Sequence, residues 1–255
     1  MATPKVCVLR APGTNCDIET AYAFELAGAR PERLHLNRLL ENPAQLAEYQ
    51  ILCIPGGFSY GDDLGAGIIF SRQLRGQLND AIRQFLTADK LVLGICNGFQ
   101  VITNLGLLPL TQGVPAAGRE FEQEATLTFN DSGKFEDRWV YLKVGGKSVW
   151  TEGLKDIIYI PVAHGEGKFV CDSEGTLDRI EGGHLAVLKY SGPNYAAPTM
   201  EFPLNPNGSQ NAIAGICDPT GRVFGLMPHP EAFVRWTSHP EWTSQSGRAN
   251  SPGQG

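Results

Sequence analysis

The chain has 255 residues, of which 42% are hydrophobic and 19% are charged, and its formal net charge is −6. This composition is typical of a globular protein with one substantial core, and it excludes an intrinsically disordered chain. The acidic balance argues against a nucleic-acid partner, and no run of about 18 apolar residues that could cross a membrane is present.

Short apolar runs alternate with helix-like segments through the first 105 residues. The run at 51–54 ends at a proline and two glycines, and the run at 91–95 ends at a cysteine. Segment 73–86 places its apolar residues at helical spacing. Thr14 stands three residues before Asp17, which predicts a capping box at the first helix. Strands are therefore predicted at 5–10, 34–37, 51–54 and 91–95, and helices at 18–26, 44–48, 73–86 and 97–105.

The pattern changes after Pro109, where segments 124–130 and 139–144 alternate apolar and polar residues as half-buried antiparallel strands do. Further strands are predicted at 157–162, 185–190, 212–217 and 223–227, and a loop at 191–208. Apolar strands that alternate with helices predict a parallel sheet covered on both faces. The predicted fold class is therefore α/β, flavodoxin-like or Rossmann-like, with a mostly parallel sheet, helices on both faces and an antiparallel insertion. One domain is predicted at 1–236, followed at 237–255 by a polar tail that is either disordered or docked on a partner.

One cysteine lies at a predicted turn from strand to helix. The segment Gly94-Ile95-Cys96-Asn97-Gly98 fits the nucleophile-elbow pattern G-x-S-x-G, with cysteine in place of serine. Small residues allow the sharp turn, and the N-terminus of the following helix favours a thiolate. The alternative interpretation is a buried cysteine whose neighbouring glycines only permit close packing.

A cysteine nucleophile needs a base, and the base needs a group that orients it. Met227-Pro228-His229-Pro230-Glu231 supplies both, and the two prolines predict an extended segment from which His229 and Glu231 project on the same side. The alternative is a surface turn. An oxyanion hole needs two converging donors, and the N–H groups of Gly57 and Asn97 are the predicted pair. The alternative for Gly57 is an ordinary glycine turn.

Five segments together resemble the class I, triad-type glutamine amidotransferases. The segments Pro-Gly-Thr-Asn-Cys-Asp and Gly-Phe-Ser-Tyr-Gly-Asp narrow this resemblance to the family of glutaminase subunits of phosphoribosylformylglycinamidine synthase. The five segments lie at 10–17, 55–63, 94–100, 163–167 and 228–231.

The resemblance implies that Cys96 attacks the carboxamide of glutamine to give a γ-glutamyl thioester. It implies that His229 acts as general base and acid, and that Glu231 orients His229. The substrate-binding residues that it implies, largely through their backbone in the loops, are Gln100, Gly56, His164, Gly165 and Glu166.

No cofactor and no metal are expected on this chain. Gly146-Lys147-Ser148 is not a phosphate-binding loop, because Tyr141 occupies the place of the required glycine. The histidines at 35, 184 and 239 lack the spacing of metal ligands. Cys16 is interpreted as a packing residue at the start of a helix, and the alternative is a redox-active thiol. ATP and magnesium are expected on a partner synthetase.

The expected function is that of a glutaminase subunit which delivers ammonia to an ATP-dependent synthetase. The resemblance implies that this synthetase converts formylglycinamide ribonucleotide to formylglycinamidine ribonucleotide in purine biosynthesis, with a small accessory subunit as a further partner. The alternatives are a stand-alone amide or γ-glutamyl hydrolase, a glutaminase subunit of another amidotransferase, and a non-enzymatic relative of the fold. Six cysteines without a C-x-x-C pair, and no signal-peptide pattern, predict a cytoplasmic protein.

Overall fold

The computed structural model describes residues 3–193, 197–244 and 253. The strands are β1 Lys5–Arg10, β2 Arg30–His35, β3 Ile51–Ile54, β4 Leu91–Ile95, β5 Ala125–Thr128, β6 Glu136–Val144, β7 Ile157–His164, β8 Lys168–Cys171, β9 Ala186–Ser191, β10 Ile213–Cys217 and β11 Val223–Leu226. The α-helices are α1 Asp17–Leu26, α2 Leu36–Glu41, α3 Ile68–Thr87, α4 Asn97–Leu105 and α5 Glu174–Gly182. Short 3₁₀ segments lie at Pro43–Glu48, Ser59–Asp62, Gln210–Ala212, Pro230–Phe233 and Trp236–Ser238.

A nine-stranded sheet runs through the molecule in the order β2-β1-β3-β4-β11-β10-β9-β6-β7. Its first five strands are parallel to one another, and the remaining four continue the sheet in antiparallel fashion. Strands β5 and β8 form a separate antiparallel pair. The predicted α/β class with a parallel sheet and an antiparallel portion is confirmed. The antiparallel strands belong largely to the same sheet and do not form a separate layer.

The parallel half is apolar because it is enclosed by packed elements. All four residues of β3 are buried, as are the last four of β4. Helix α3 buries its apolar stripe, which includes Leu74, Leu78 and Ile82. Complete burial of an aliphatic side chain of this size contributes about 1.5–3 kcal/mol, so this stripe alone accounts for docking the helix.

Helix α1 does not begin with the predicted capping box. Its N-cap residue is Cys16, which makes no capping hydrogen bond through its side chain. Thr14 instead pairs with Gly57 in an isolated β-bridge, and its hydroxyl accepts a hydrogen bond from the N–H of Ala11. The bridge extends the chain past Thr14, so the helix starts later than the capping pattern suggests.

The predicted second strand is displaced, and three elements were not predicted. Strand β2 covers Arg30–His35 instead of 34–37, because it is a polar edge strand that pairs only with β1. Helix α5 buries only Thr176 and Ile180, a stripe too narrow to show a clear helical period. Helix α2 and strand β8 are six and four residues long, which is short for recognition by periodicity.

Part of the predicted polar tail is packed in the structure. His239 is buried, and its ring stacks on Trp236 at a centroid distance of 4.7 Å and lies 5.3 Å from Trp139. The start of the predicted tail is therefore anchored to the folded unit through His239. The rest of the predicted tail, at 245–252 and 254–255, lies outside the described residues.

The loops that follow β1, β3, β4 and β11 lie at one edge of the sheet, because these four strands are parallel. They contain Thr14, Gly57, Cys96 and His229 respectively. None of the helices in the described residues has the length and apolar character needed to cross a membrane.

Candidate active site

Cys96 stands at a strained turn between β4 and α4. Its backbone has φ 50° and ψ −106°, outside the regions that non-glycine residues ordinarily occupy. A Cβ at Gly98 would lie 1.8 Å from the carbonyl oxygen of Ile54, and a Cβ at Gly94 would lie 2.7 Å from that of Gly98. The two glycines thus let the start of α4 pack directly on the sheet. The predicted elbow geometry is present in the structure.

His229 and Glu231 form a hydrogen-bonded pair. The Nδ1 atom of His229 donates to Oε1 of Glu231 over 2.7 Å, and both side chains are buried. The expectation of an extended segment is wrong, because Pro230 begins the 3₁₀ turn Pro230–Phe233 with His229 as its N-cap residue. The backbone N–H of His229 also donates to the carbonyl of Pro161 on β7. The two side chains still meet, because a single 3₁₀ turn folds Glu231 back over His229.

The structure brings the thiol of Cys96 to the imidazole of His229. The two side chains interact closely enough to affect the charge state of the imidazole. The Nε2 atom of His229 is buried, and no hydrogen bond of ordinary geometry reaches it from any residue that the structure describes. The thiol also donates to the carbonyl of Ala163 over 3.6 Å. Such a loose thiol–imidazole contact is common before a substrate is bound.

The charges around His229 favour its protonated form. Burial alone would lower the pKa of this imidazole. Electrostatic interactions with Cys96 and Glu231, together with side-chain contacts from Cys16 and Cys96, outweigh burial and hold the pKa of His229 well above its usual value. His229 is therefore held in its protonated form beside the sulfur of Cys96.

Gly56 provides the space that the imidazole occupies. A Cβ at this position would lie 2.8 Å from Cε1 of His229 and 3.3 Å from the sulfur of Cys16. Since Cβ contacts under 3.0 Å do not occur without a shift of the neighbours, any larger residue would displace the ring of His229. The backbone of Gly56 therefore forms one wall of the candidate site.

The predicted oxyanion donors lie on the two loops beside Cys96. Gly57 has φ +140°, and a Cβ there would lie 2.7 Å from the backbone nitrogen of Asn15. The bridge between Gly57 and Thr14 is closed by the N–H of Phe58, which donates to Gly13, so the N–H of Gly57 is not used in it. Asn97 is the first residue of α4, where helical N–H groups have no partner within the helix. The N–H of Gly57 is therefore not used in the bridge, and that of Asn97 has no acceptor within its helix.

The side chain of Asn97 holds the loop that follows Gly57. Its Oδ1 accepts a hydrogen bond from the N–H of Ser59 over 3.2 Å. Its Nδ2 donates to Oδ1 of Asp62 over 3.2 Å and to Oε1 of Gln100 over 3.0 Å. The residue after the elbow cysteine therefore fixes the loop that carries one proposed oxyanion donor.

Gln100 and Glu166 interact with each other and with the same loop. The Nε2 atom of Gln100 donates to the carbonyl oxygen of Glu166 over 2.6 Å. The carboxylate of Glu166 accepts a hydrogen bond from the N–H of Ala66 over 3.2 Å. Gly165 follows β7 beside them and is partly exposed. These three residues lie together, but the amide of Gln100 is occupied by protein partners in this structure.

The side chain of His164 faces the interior of the molecule. Its Nδ1 lies 3.1 Å from Oδ1 of Asn130, and its Nε2 lies 3.5 Å from Nδ2 of Asn207. An amide oxygen accepts and an amide nitrogen donates, so this pair of contacts fits the neutral imidazole with its proton on Nδ1. Burial, and then the positive charge of His229, lower the pKa of His164 to about 4. Its imidazole thus has a structural place, and only the backbone of this residue remains near the loop.

Cys16 lies in the site, although the sequence analysis treated it as a packing residue. One ligand atom each from Cys16, His229 and Glu231 lie within 4.8 Å of one another. The loop of Cys16 is drawn to this place by the backbone hydrogen bond from its N–H to the carbonyl of Gly56. The sequence signal that could have placed Cys16 in the site is the glycine pair at 56–57, because glycines permit the close approach of a second loop.

Comparisons with known proteins agree with this geometry. Residues 3–255 match the family described as the CobB/CobQ-like glutamine amidotransferase domain. The chain is 47% identical to phosphoribosylformylglycinamidine synthase subunit PurQ from Dehalococcoides mccartyi, over 96% of this chain and 91% of that relative. It is 44% identical to subunit PurQ from Methanococcus maripaludis, over 94% of this chain and 86% of that relative.

Solved structures show the same fold. A chain in the structure of PurLQS from Thermotoga maritima aligns with a TM-score of 0.70 and 32% identity, over 94% of both chains. A glutamine amidotransferase from Thermotoga maritima aligns with a TM-score of 0.53 at 17% identity, over 96% of this chain and 82% of that one, and shows likeness of fold alone. On the strength of these matches, the chain belongs to the glutamine amidotransferase family, and within it to the family of phosphoribosylformylglycinamidine synthase subunit PurQ.

Proposed function

We propose that this chain is the glutaminase subunit of a phosphoribosylformylglycinamidine synthase. The observation that carries the proposal is the position of Cys96 on a strained elbow, beside an imidazole that is hydrogen-bonded over 2.7 Å to Glu231. A nucleophile, a base and an orienting carboxylate in this order are the parts that acyl transfer from an amide requires. Membership of the PurQ family supports the assignment of glutamine as the amide.

The reaction begins with attack of the Cys96 sulfur on the carboxamide carbon of glutamine. The developing oxyanion is stabilised by the N–H groups of Gly57 and Asn97. His229 passes the thiol proton to the amide nitrogen, the C–N bond breaks, and ammonia leaves a γ-glutamyl thioester on Cys96. Water, deprotonated by His229, then attacks the thioester and releases glutamate and the free thiol. Glu231 holds the imidazole in the tautomer that exchanges protons through Nε2.

The substrate is held by the loops around this nucleophile. We assign this role to Gln100, Gly56, Gly165 and Glu166, and to the backbone of His164. Gln100 and Glu166 are already linked by a hydrogen bond, so binding of glutamine replaces that bond with contacts to the substrate. This exchange limits the cost of leaving buried polar groups unpaired.

A partner is part of the proposal. Ammonia released into water is protonated and lost, so the glutaminase works with a synthetase that converts formylglycinamide ribonucleotide to formylglycinamidine ribonucleotide in purine biosynthesis. ATP and magnesium are assigned to that synthetase, and no cofactor to this chain. The likeness to a chain of PurLQS supports an assembly with a synthetase and a small accessory subunit. The six cysteines are free thiols, which supports a cytoplasmic location.

The competing function is that of a stand-alone amide or γ-glutamyl hydrolase on the same fold, or of a glutaminase subunit serving another synthetase. The site geometry alone is compatible with each of these. The identity of 44–47% to PurQ subunits over most of the chain favours the synthase subunit.

The test is the dependence of glutaminase activity on the partner. Purified chain should release glutamate from glutamine slowly, and the rate should rise at least tenfold when synthetase, accessory subunit, ATP and formylglycinamide ribonucleotide are added. The matched control omits only the nucleotide substrate. A full rate without any partner would support the stand-alone hydrolase. Stimulation only by a different synthetase would support a glutaminase subunit that serves that other enzyme.

A further inference from the structure

We propose that Cys16, His229 and Glu231 form a binding site for a single zinc ion, and that zinc bound there blocks the base of the glutaminase. The inhibitory effect rests on the proposed function, whereas zinc binding itself does not. The sulfur of Cys16, a ring nitrogen of His229 and a carboxylate oxygen of Glu231 lie within 4.8 Å of one another. Sulfur, nitrogen and oxygen from these residue types are the ordinary protein ligands of zinc.

The three ligand atoms need to move only a short way to reach the distances that zinc requires. Zinc bonds of about 2.0–2.3 Å in a tetrahedral arrangement place neighbouring ligand atoms roughly 3.3–3.8 Å apart. The imidazole and the carboxylate are already closer than this, since Nδ1 of His229 and Oε1 of Glu231 are 2.7 Å apart. A Cβ at Gly56 would lie 3.3 Å from the sulfur of Cys16 and 3.4 Å from Nδ1 of His229, so both atoms border the same small space beside Gly56.

An unpaired polar atom at the same place provides a second, independent observation. The Oε2 atom of Glu231 is buried and lacks a hydrogen-bond partner within the part of the chain that the structure describes. Only 3% of the side chain of Glu231 is exposed, so water reaches this carboxylate poorly. A cation at the carboxylate would satisfy an oxygen that otherwise costs free energy.

The ligands differ in access, which gives the ion an entry path. Cys16 is partly exposed at the start of α1, whereas His229 and Glu231 are buried. A zinc ion would first meet the thiol of Cys16, which gives up its proton to solvent on binding. The ion then replaces the proton between His229 and Glu231, which is released to solvent, and the imidazole keeps one proton on its other nitrogen. His229 can no longer accept the proton of Cys96.

Direct measurement of zinc binding tests the inference without reference to activity. Competition with a chromogenic chelator should show one zinc ion per wild-type chain. Cys16→Ser should weaken the affinity at least tenfold, since even loss of a group that only supports a metal ligand typically costs 10–100-fold. Cys171→Ser, which removes a thiol from β8 outside this group, is the matched control and should bind zinc as the wild type does.

A second variant distinguishes zinc binding at this site from zinc binding to the nucleophile Cys96. Cys96→Ser should retain zinc affinity within about threefold, because the group does not include Cys96. Cobalt(II) provides an independent readout on folded protein: its thiolate charge-transfer absorption should persist in Cys96→Ser and disappear in both Cys16→Ser and Cys16→Ala. Absence of zinc binding by the wild type, unchanged affinity in Cys16→Ser, or loss of binding in Cys96→Ser would overturn the inference.

The inhibition has its own readout. The zinc concentration that halves glutaminase activity should rise in Cys16→Ser by the same factor as the dissociation constant, with each variant compared with its own zinc-free rate. If zinc binds as expected but the inhibition midpoint does not move, the blocking role is wrong. A chain that binds zinc but hydrolyses no glutamine would contradict the proposed function and leave the site intact.

Discussion

The two histidines near the elbow have opposite electrostatic environments. His229 interacts electrostatically with Cys96 and Glu231, and these interactions hold its pKa well above the usual value despite burial. His164 is buried among amide groups and also faces the positive charge of His229, so its pKa falls to about 4. The contrast is consistent with proton transfer by the first and a structural role for the second.

The neutral state of His164 predicts a specific dependence of stability on pH. Its folded pKa is lowered from 6.5, so its contribution is fully present above pH 6.5 and is lost as pH falls towards 4. The loss at pH 4 should be about 3 kcal/mol, since one pKa unit corresponds to about 1.4 kcal/mol. Urea unfolding at intervals from pH 7 to pH 4 should show wild type losing this much more than His164→Gln. Parallel pH profiles for the two proteins would show that the imidazole is not held neutral.

Cys96, His229 and Glu231 could be predicted as a group because the glycines and prolines that position them are their neighbours in sequence. The place of Cys16 beside His229 could not be predicted, because it depends on the loops of Cys16 and Gly56, 40 residues apart along the chain, meeting in space. The inward direction of His164 could not be predicted either, because its partners Asn130 and Asn207 come from other segments. Side-chain direction at a strand end is decided by tertiary contacts.

At the scale of elements, the turn from β4 into α4 depends on close packing of backbone on backbone. The conformation of Cys96, at φ 50°, costs of order 1–3 kcal/mol, and the surrounding contacts must compensate for it. The approach of α4 to β3 at Gly98 is the closest of these, because a Cβ there would meet the carbonyl of Ile54 at 1.8 Å.

Alanine at two helical glycines should therefore have opposite effects. Gly98→Ala should lower the free energy of unfolding by roughly 2–4 kcal/mol and reduce glutaminase activity, because the backbone of β3 cannot yield to a new Cβ. Gly76→Ala is the matched control in the middle of α3, where nothing lies within 4 Å of the new Cβ. It should raise stability by about 0.5–1 kcal/mol. Denaturant unfolding of both variants checks this, and equal effects would contradict the packing at the elbow.

Elements with a strong apolar pattern were predicted closely, and weakly patterned ones were not. Strands β1, β3 and β4 have the predicted bounds because each is buried along most of its length. Strand β2 was misplaced because its sequence, Arg30-Pro31-Glu32-Arg33, is polar, and its partner β1 determines its position. Helix α5 was missed because its stability comes from a Ser173 cap and two buried residues.

At the scale of the whole molecule, the candidate site exists only because four parallel strands end at one edge. Its residues come from segments around 16, 57, 96 and 229, and no two of these adjoin in sequence. The continuation of the same sheet through β10, β9, β6 and β7 could not be read from the sequence, since strand order depends on pairing between distant segments. The alternating apolar pattern predicted antiparallel strands but not their neighbours.

The central claim is that the only contribution of this chain to the overall synthesis is ammonia, which it releases from glutamine through Cys96. The most direct measurement compares two nitrogen sources in the complete assembly carrying Cys96→Ser. Formation of the amidine product from glutamine should fall at least a thousandfold, in line with the loss of a covalent nucleophile. Formation from added ammonium salt should stay within about twofold of the wild-type assembly. Equal loss from both nitrogen sources, or continued use of glutamine, would contradict the account.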